Sequence, residues 1–144
     1  MLIPSDRAVS IAEMVAAPMI AIAFIALCSL LKEPARRHFS ALMIAGAGAI
    51  YISGGGLGPL EFAFCALMTF LAFRGLSEYR FVAIGWLCHV AWDVVHHLYG
   101  NPIVPFDPSS SVGCAICDTF LALWYFRGAP AIQTWFRRAP ALQM

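Results

Sequence analysis

Apolar positions gather into five long blocks, and most charged residues fall in the joints between them. The blocks cover residues 11–31, 39–53, 59–73, 81–98 and 112–126. A helix needs ~20 apolar residues to cross the hydrocarbon core of a bilayer, fewer when interfacial residues extend it. The first block, "IAEMVAAPMIAIAFIALCSLL", meets that length outright. The second and third are shorter, and their glycine-rich and aromatic flanks can lengthen both. The pattern predicts an all-α fold: a single integral-membrane domain over 1–144, built as a polytopic bundle of five transmembrane helices. The first block reads as a true span. For a signal peptide its apolar core is too long, and Asp6 beside Arg7 spoils the basic region ahead of it. "IALC", ending at Cys28, makes a poor lipoprotein box because Leu27 is too large for the residue before the cysteine.

Composition agrees with the blocks. Asp, Glu, Lys and Arg make up 12% of the chain and hydrophobic residues 61%, where a soluble domain carries roughly 25% charged residues. Too few polar groups remain to cover a globule in water, so lipid is the expected solvent. The net charge of +1 gives no electrostatic footing for nucleic acid. Cys28, Cys65, Cys88, Cys114 and Cys117 all lie inside apolar blocks, which argues against a secreted disulfide framework.

The basic residues set an orientation. Five spans put Lys32, Arg36, Arg37, Arg74, Arg80, Arg127, Arg137 and Arg138 on one side and Arg7 alone on the other. The positive-inside rule then places the N-terminus outside and the C-terminus in the cytoplasm. The expected location is a bacterial inner membrane, crossed several times. Residues 127–144 read as a cytoplasmic tail or an interfacial helix. On the outer side, Pro102, Pro105 and Pro108 exclude regular helix from "YGNPIVPFDPSSS", and Ser109, Ser110 and Ser111 are N-cap candidates for the fifth helix. "AGAGA" at 45–49 supplies small residues for close helix packing.

One block breaks the pattern. "GWLCHVAWDVVHHLYGNP", residues 85–102, carries three of the four histidines and an aspartate. An uncompensated charge near mid-bilayer costs at least ~2.5–3.5 kcal/mol, so such residues are functional candidates by default. Seven qualify: Glu13, Glu61, His89, Asp93, His96, His97 and Asp118. None is a lysine or arginine, and acids with imidazoles but no cations have the composition of a metal or proton site. With His89 at zero, a turn of about 100° per residue puts Asp93 near 40°, His96 near −20° and His97 near 80°. The four share one helical face. All seven also fall between the midplane and the outer leaflet. The plainer alternatives are helix-dipole contacts for Glu13 and Glu61, an interfacial His97, and a hydrogen-bonded polar seam for the rest.

As a metal site, His89, Asp93 and His96 or His97 supply nitrogen and oxygen ligands. Glu13, Glu61 or Asp118 completes the shell or orients the imidazoles. Such a donor set suits zinc or iron, with Asp93, Asp118 and Glu61 as the catalytic carboxylates. The "HxxxDxxHH" spacing superficially resembles the histidine boxes of membrane di-iron hydroxylases and desaturases, which use around eight histidines; three are usable here, so a single metal is the economical reading. Without a metal, a His paired with carboxylates could shuttle protons, as the resemblance to emopamil-binding-type sterol isomerases implies. Cys114 and Cys117 form a CxxC placed as in vitamin K epoxide reductases, but no second cysteine pair in an outer loop could relay electrons.

"IGWLCHVAWDVVHHLYGNPIVPF" followed by "SSSVGCAICDTFLALWYF" resembles the signature half of a family of small, uncharacterised bacterial integral-membrane proteins. The resemblance spans residues 80–126 and implies no activity. The leading expectation is a metal-dependent enzyme acting on a lipid or isoprenoid-like substrate, in contact with membrane lipid. The rival is a proton- or ion-binding or accessory subunit of a larger membrane complex, or a homo-oligomer, and a CxxC thiol redox protein comes third.

Overall fold

A computed structural model describes residues 9–136. Among them are six helices and no strand: α1 (Ile11–Leu30), α2 (Ala35–Ala49), α3 (Pro59–Gly75), α4 (Tyr79–Tyr99), α5 (Ser110–Phe126) and α6 (Ile132–Phe136). Local chemistry explains several boundaries. Ser10 and Glu13 form a reciprocal capping box at the start of α1. Pro59 opens α3, where its missing N–H costs nothing. The proline-rich stretch after Gly100 separates α4 from α5, as its composition requires.

Four of the expected blocks match their helices closely, and the second is displaced. Expected over 39–53, α2 instead runs from Ala35 to Ala49, with Tyr51 and Ser53 in the following turns. The basic stretch "ARRHF" reads as a joint by polarity, yet Arg36 is buried. Its guanidinium donates to Cys28 O at 3.2 Å, to Leu31 O at 2.8 and 3.1 Å, and to Ala129 O at 2.9 Å. A cation on the carbonyls that end α1 is favoured by both hydrogen bonding and the helix dipole. Arg36 thereby ties α1, α2 and the α5–α6 connection together.

Contacts like these fix the directions of the helices. At one end Arg36 meets Ala129, and Tyr125 donates to Ser40 at 2.7 Å. At the other, Tyr51 reaches Asp93 and Ser111, while Ser109 meets Glu13. Thus α1 and α5 run parallel to each other and antiparallel to α2 and α4. The core between them is apolar, with Ile44, Met68, Val82, Trp86 and Leu121 all buried. Of the small residues at 45–49, Gly48 carries the close approach: a Cβ there would collide with the Met68 side chain.

Two helices, α1 with 20 residues and α4 with 21, are long and apolar enough to cross a membrane. α2, α3 and α5 hold 15, 17 and 17 residues. Large apolar side chains, including Leu42, Phe62, Phe73 and Leu123, point outward around the bundle. Arg7, Arg137 and Arg138, which enter the charge sorting, lie outside the described residues, as does the tail beyond Phe136.

Candidate functional site

The polar face of α4 is buried, with His89, Asp93, His96 and His97 all inside the bundle. It serves two levels, not one. His96 lies seven residues beyond His89, about 10 Å along the axis, so one ion with bonds of ~2 Å cannot take both. Each histidine has found its own carboxylate.

At the first level, His89 Nδ1 lies 2.7 Å from Asp118 Oδ2 of α5 and 3.1 Å from Asp93 Oδ2 of its own helix. Its other nitrogen, Nε2, is 3.1 Å from the carbonyl of Ala47. A carbonyl can only accept, so Nε2 carries a proton and donates it, leaving Nδ1 turned toward both aspartates. One proton on Nδ1 can serve only one of them. The shorter contact, to Asp118, is the hydrogen bond, and Asp93 Oδ2 is close to the ring nitrogen but without a hydrogen-bond partner among the described residues. The second Asp93 oxygen accepts from Tyr51 Oη at 2.8 Å, and Tyr51 in turn meets Ser111 Oγ at 3.2 Å. Asp93 is fully buried.

The three ligand atoms, Nδ1 of His89 and one carboxylate oxygen each from Asp93 and Asp118, lie within 4.8 Å of one another. A tetrahedral ion with bonds of about 2.0–2.2 Å would hold such atoms about 3.3–3.6 Å apart. To reach that range the 3.1 Å spacing to Asp93 would open by about 0.2–0.5 Å and the 2.7 Å spacing to Asp118 by about 0.6–0.9 Å. An imidazole whose far N–H is pinned to a backbone carbonyl is the usual posture of a metal-bound histidine. Charge agrees: with Nδ1 deprotonated to take a metal, His89 is neutral and the two aspartates carry −2, which a divalent cation cancels, and no lysine or arginine among the described residues pairs with either acid. One imidazole and two carboxylates are a donor set of the kind that holds zinc or iron. His89, Asp93 and Asp118 come together. His96, His97, Glu61 and Glu13 do not join them.

At the second level, His96 Nδ1 donates to the Trp92 carbonyl at 3.0 Å, and Nε2 meets Glu61 Oε1 at 2.9 Å. Leu57 N–H also donates to that Glu61 oxygen at 3.1 Å, while Oε2 is buried without a hydrogen-bond partner among the described residues. The glycine-rich loop roofs this pair. A Cβ on Gly55 would land on Glu61 Oε1 and within 2.7 Å of His96 Nε2. The loop is pinned by Asn101, whose backbone N–H donates to Gly55 O at 2.8 Å and whose side chain donates to Gly54 O at 2.7 Å. Asn101 thereby holds the cover in place. His97 is buried on α4.

Glu13 takes the helix-terminal role considered for it, in the capping box with Ser10, and adds a contact to Ser109 across the α1–α5 interface. Ser109 occupies the N-cap position of α5, but its hydroxyl turns to Asp107 and Glu13 and caps no helix N–H. Cys114 and Cys117 are free thiols.

Tyr51 went unrecognised in the sequence, and Ser111 was read there as an N-cap candidate and not as a partner of Tyr51. Tyr51 follows a run of small residues at a helix end, where an aromatic reads as an interfacial anchor. Its ring is stacked 3.7 Å from His96 while its hydroxyl holds Asp93, so one side chain touches both levels.

The chain belongs to DUF6010, a family of unknown function whose model matches residues 12–131. Neither the curated proteins nor the solved structures offer a match.

Proposed function

We propose that this DUF6010 member is a multi-pass plasma-membrane protein, N-terminus outside, that holds one zinc or iron ion on His89, Asp93 and Asp118 and acts as an enzyme on a lipid-like substrate. The membrane placement draws on the exposed apolar girdle and on the six described basic residues from Lys32 to Arg127, all near the end that Arg36 ties together. In that placement α2, α3 and α5 complete the crossing despite being short, their ends lengthened by interfacial turns.

The observation that carries the metal is the posture of His89: Nε2–H fixed on Ala47 O, Nδ1 aimed between two buried acids, one with an oxygen lacking a hydrogen bond. His89, Asp93 and Asp118 would hold the ion, and an ion there would supply Lewis-acid polarisation or an activated water. The chain's own part is orientation. Tyr51 and Ser111 hold Asp93, and Ala47 holds the imidazole. A lipid-like substrate follows from access, since Asp118 lines a cavity between α1 and α5 whose walls are mostly apolar.

Elemental analysis of protein purified in mild detergent tests this reading. Wild type should carry stoichiometric zinc or iron, and His89→Ala and Asp118→Asn should lose it while keeping their helical content. Metal-free wild-type protein with an intact fold would refute the metal. The 2.7 Å spacing of Nδ1 and Asp118, a hydrogen-bond distance, favours a shared proton in that event, and the site is then a proton relay.

A further inference from the structure

The cavity between α1 and α5 has a volume of about 270 Å³, at the small end for ligand sites. It suits one chain and not the paired chains of a phospholipid. Ala17 and Ile20 of α1 face Gly113, Cys114 and Cys117 of α5 across it, and Asp118 lies at its deeper end. Glu13 and Asp107 line its outer end.

The outer end has an unusual charge balance. The Ser109 hydroxyl sits between Glu13 Oε1 and Asp107 Oδ1, 2.9 Å from the latter. A hydroxyl has one hydrogen, so two carboxylates converge on a donor that can satisfy one. Ser109 N–H gives Asp107 a second bond at 3.1 Å, and Ser10 serves Glu13 Oε2 at 2.6 Å. These neutral donors orient the acids without cancelling their charge, and no lysine or arginine is among the described residues lining the cavity. An ion at the triad would neutralise Asp93 and Asp118 and leave the outer pair at −2. Two close carboxylates at the mouth of a mostly apolar cavity favour a cation. An ammonium offers three donors to acids already held in place. A phosphate or carboxylate head would meet repulsion from both.

We infer that this cavity binds a single-chain amphiphile with a primary ammonium head, the ammonium between Glu13 and Asp107 and the chain running inward toward Asp118. The inference rests on the proposed lipid-like substrate and names its class. It separates this chemistry from prenyl phosphates and fatty acids, which share the tail and carry the wrong charge.

Cys114 and Cys117 line the cavity and report its occupancy. The protein is reconstituted in phosphatidylcholine vesicles, and N-ethylmaleimide alkylation of the two thiols is followed by peptide mass spectrometry with dodecylamine, dodecanol or dodecanoate added. Dodecylamine should slow alkylation about tenfold more effectively than the other two, the discrimination of one well-placed charge pair. The double variant Glu13→Gln, Asp107→Asn should erase that difference, with Gln at 13 still able to complete the capping box; Asp107→Asn alone keeps the test readable should the double variant misfold. Equal protection by all three amphiphiles, or by none, overturns the inference. Shielding that grows with protein density in the absence of amphiphile marks a second copy of the chain as the occupant, and overturns it too. His89→Ala should lose metal yet keep the preference for the amine, so the metal reading and this one fail separately.

Discussion

Removing the Tyr51 hydroxyl by Tyr51→Phe isolates what orients Asp93. The ring stays, and with it the 3.7 Å stack on His96. What disappears is the 2.8 Å bond to Asp93 Oδ1 and the 3.2 Å contact with Ser111. A hydrogen bond to a charged group contributes about 1.5–3 kcal/mol. Neutral bonds inside membrane proteins average only about 0.6 kcal/mol. Asp93 is fully buried, so no water replaces the lost donor and the charged-group figure governs. The expected loss is about 2–3 kcal/mol of stability, with Ser111 adding little. The second consequence falls on the ion. Loss of a partner that orients a ligating carboxylate typically lowers metal affinity 10–100-fold. Thermal unfolding in detergent reads the first quantity, and competition with a calibrated zinc chelator reads the second. A variant that is destabilised yet binds metal as tightly as wild type would refute the reasoning, because Asp93 would then not be a ligand held by Tyr51.

Other substitutions separate the two levels. Asp118→Asn should weaken metal binding at least as much as Tyr51→Phe, whereas Glu61→Gln should leave it unchanged in the same chelator competition. Gly55→Ala drives a methyl into Glu61 and His96 and should cost about 1–3 kcal/mol on melting; Gly54→Ala, with open space around it, should be neutral. Arg36→Met removes the donor shared by Cys28, Leu31 and Ala129 and should lower the melting temperature without altering metal content. Replacing Cys114 and Cys117 by serine should leave metal content at the wild-type level, and loss of metal would make them part of the site.

Much of this arrangement was legible in the residues. α1 announced itself by an uninterrupted apolar run, and α4 by four ionisable groups within nine residues on one face. Angle alone, however, could not divide that face. His89 and His96 differ by about 20° in direction and by two turns in height, and only the carboxylates opposite reveal two levels. Those carboxylates sit on α3 and α5, and sequence gives no register between helices. The contacts of Tyr51 and Ser111 were hidden for the same reason, since neither residue type is unusual where it stands. The displaced start of α2 has another cause. Arg36 looks like a loop residue to any polarity count, and its burial depends on three carbonyls from elsewhere in the chain.

The partners of α4 also bear on how a chain made from its N-terminus is assembled. Ala47, Tyr51 and Glu61 precede α4 and are in place when it emerges, so His96 can be satisfied at once. Asp118 and Ser111 follow it, and until α5 arrives His89 Nδ1 and Asp93 face an incomplete pocket. An aspartate at the centre of a helix adds about 2.5–3.5 kcal/mol to the cost of entering a bilayer. In the proposed membrane placement, the fourth helix is therefore the marginal step of insertion, half supported by what came before and half awaiting what comes next. In that placement, a chain halted before residue 110 would present the unfinished face to lipid, and this is the feature by which an incomplete copy differs most from a finished one.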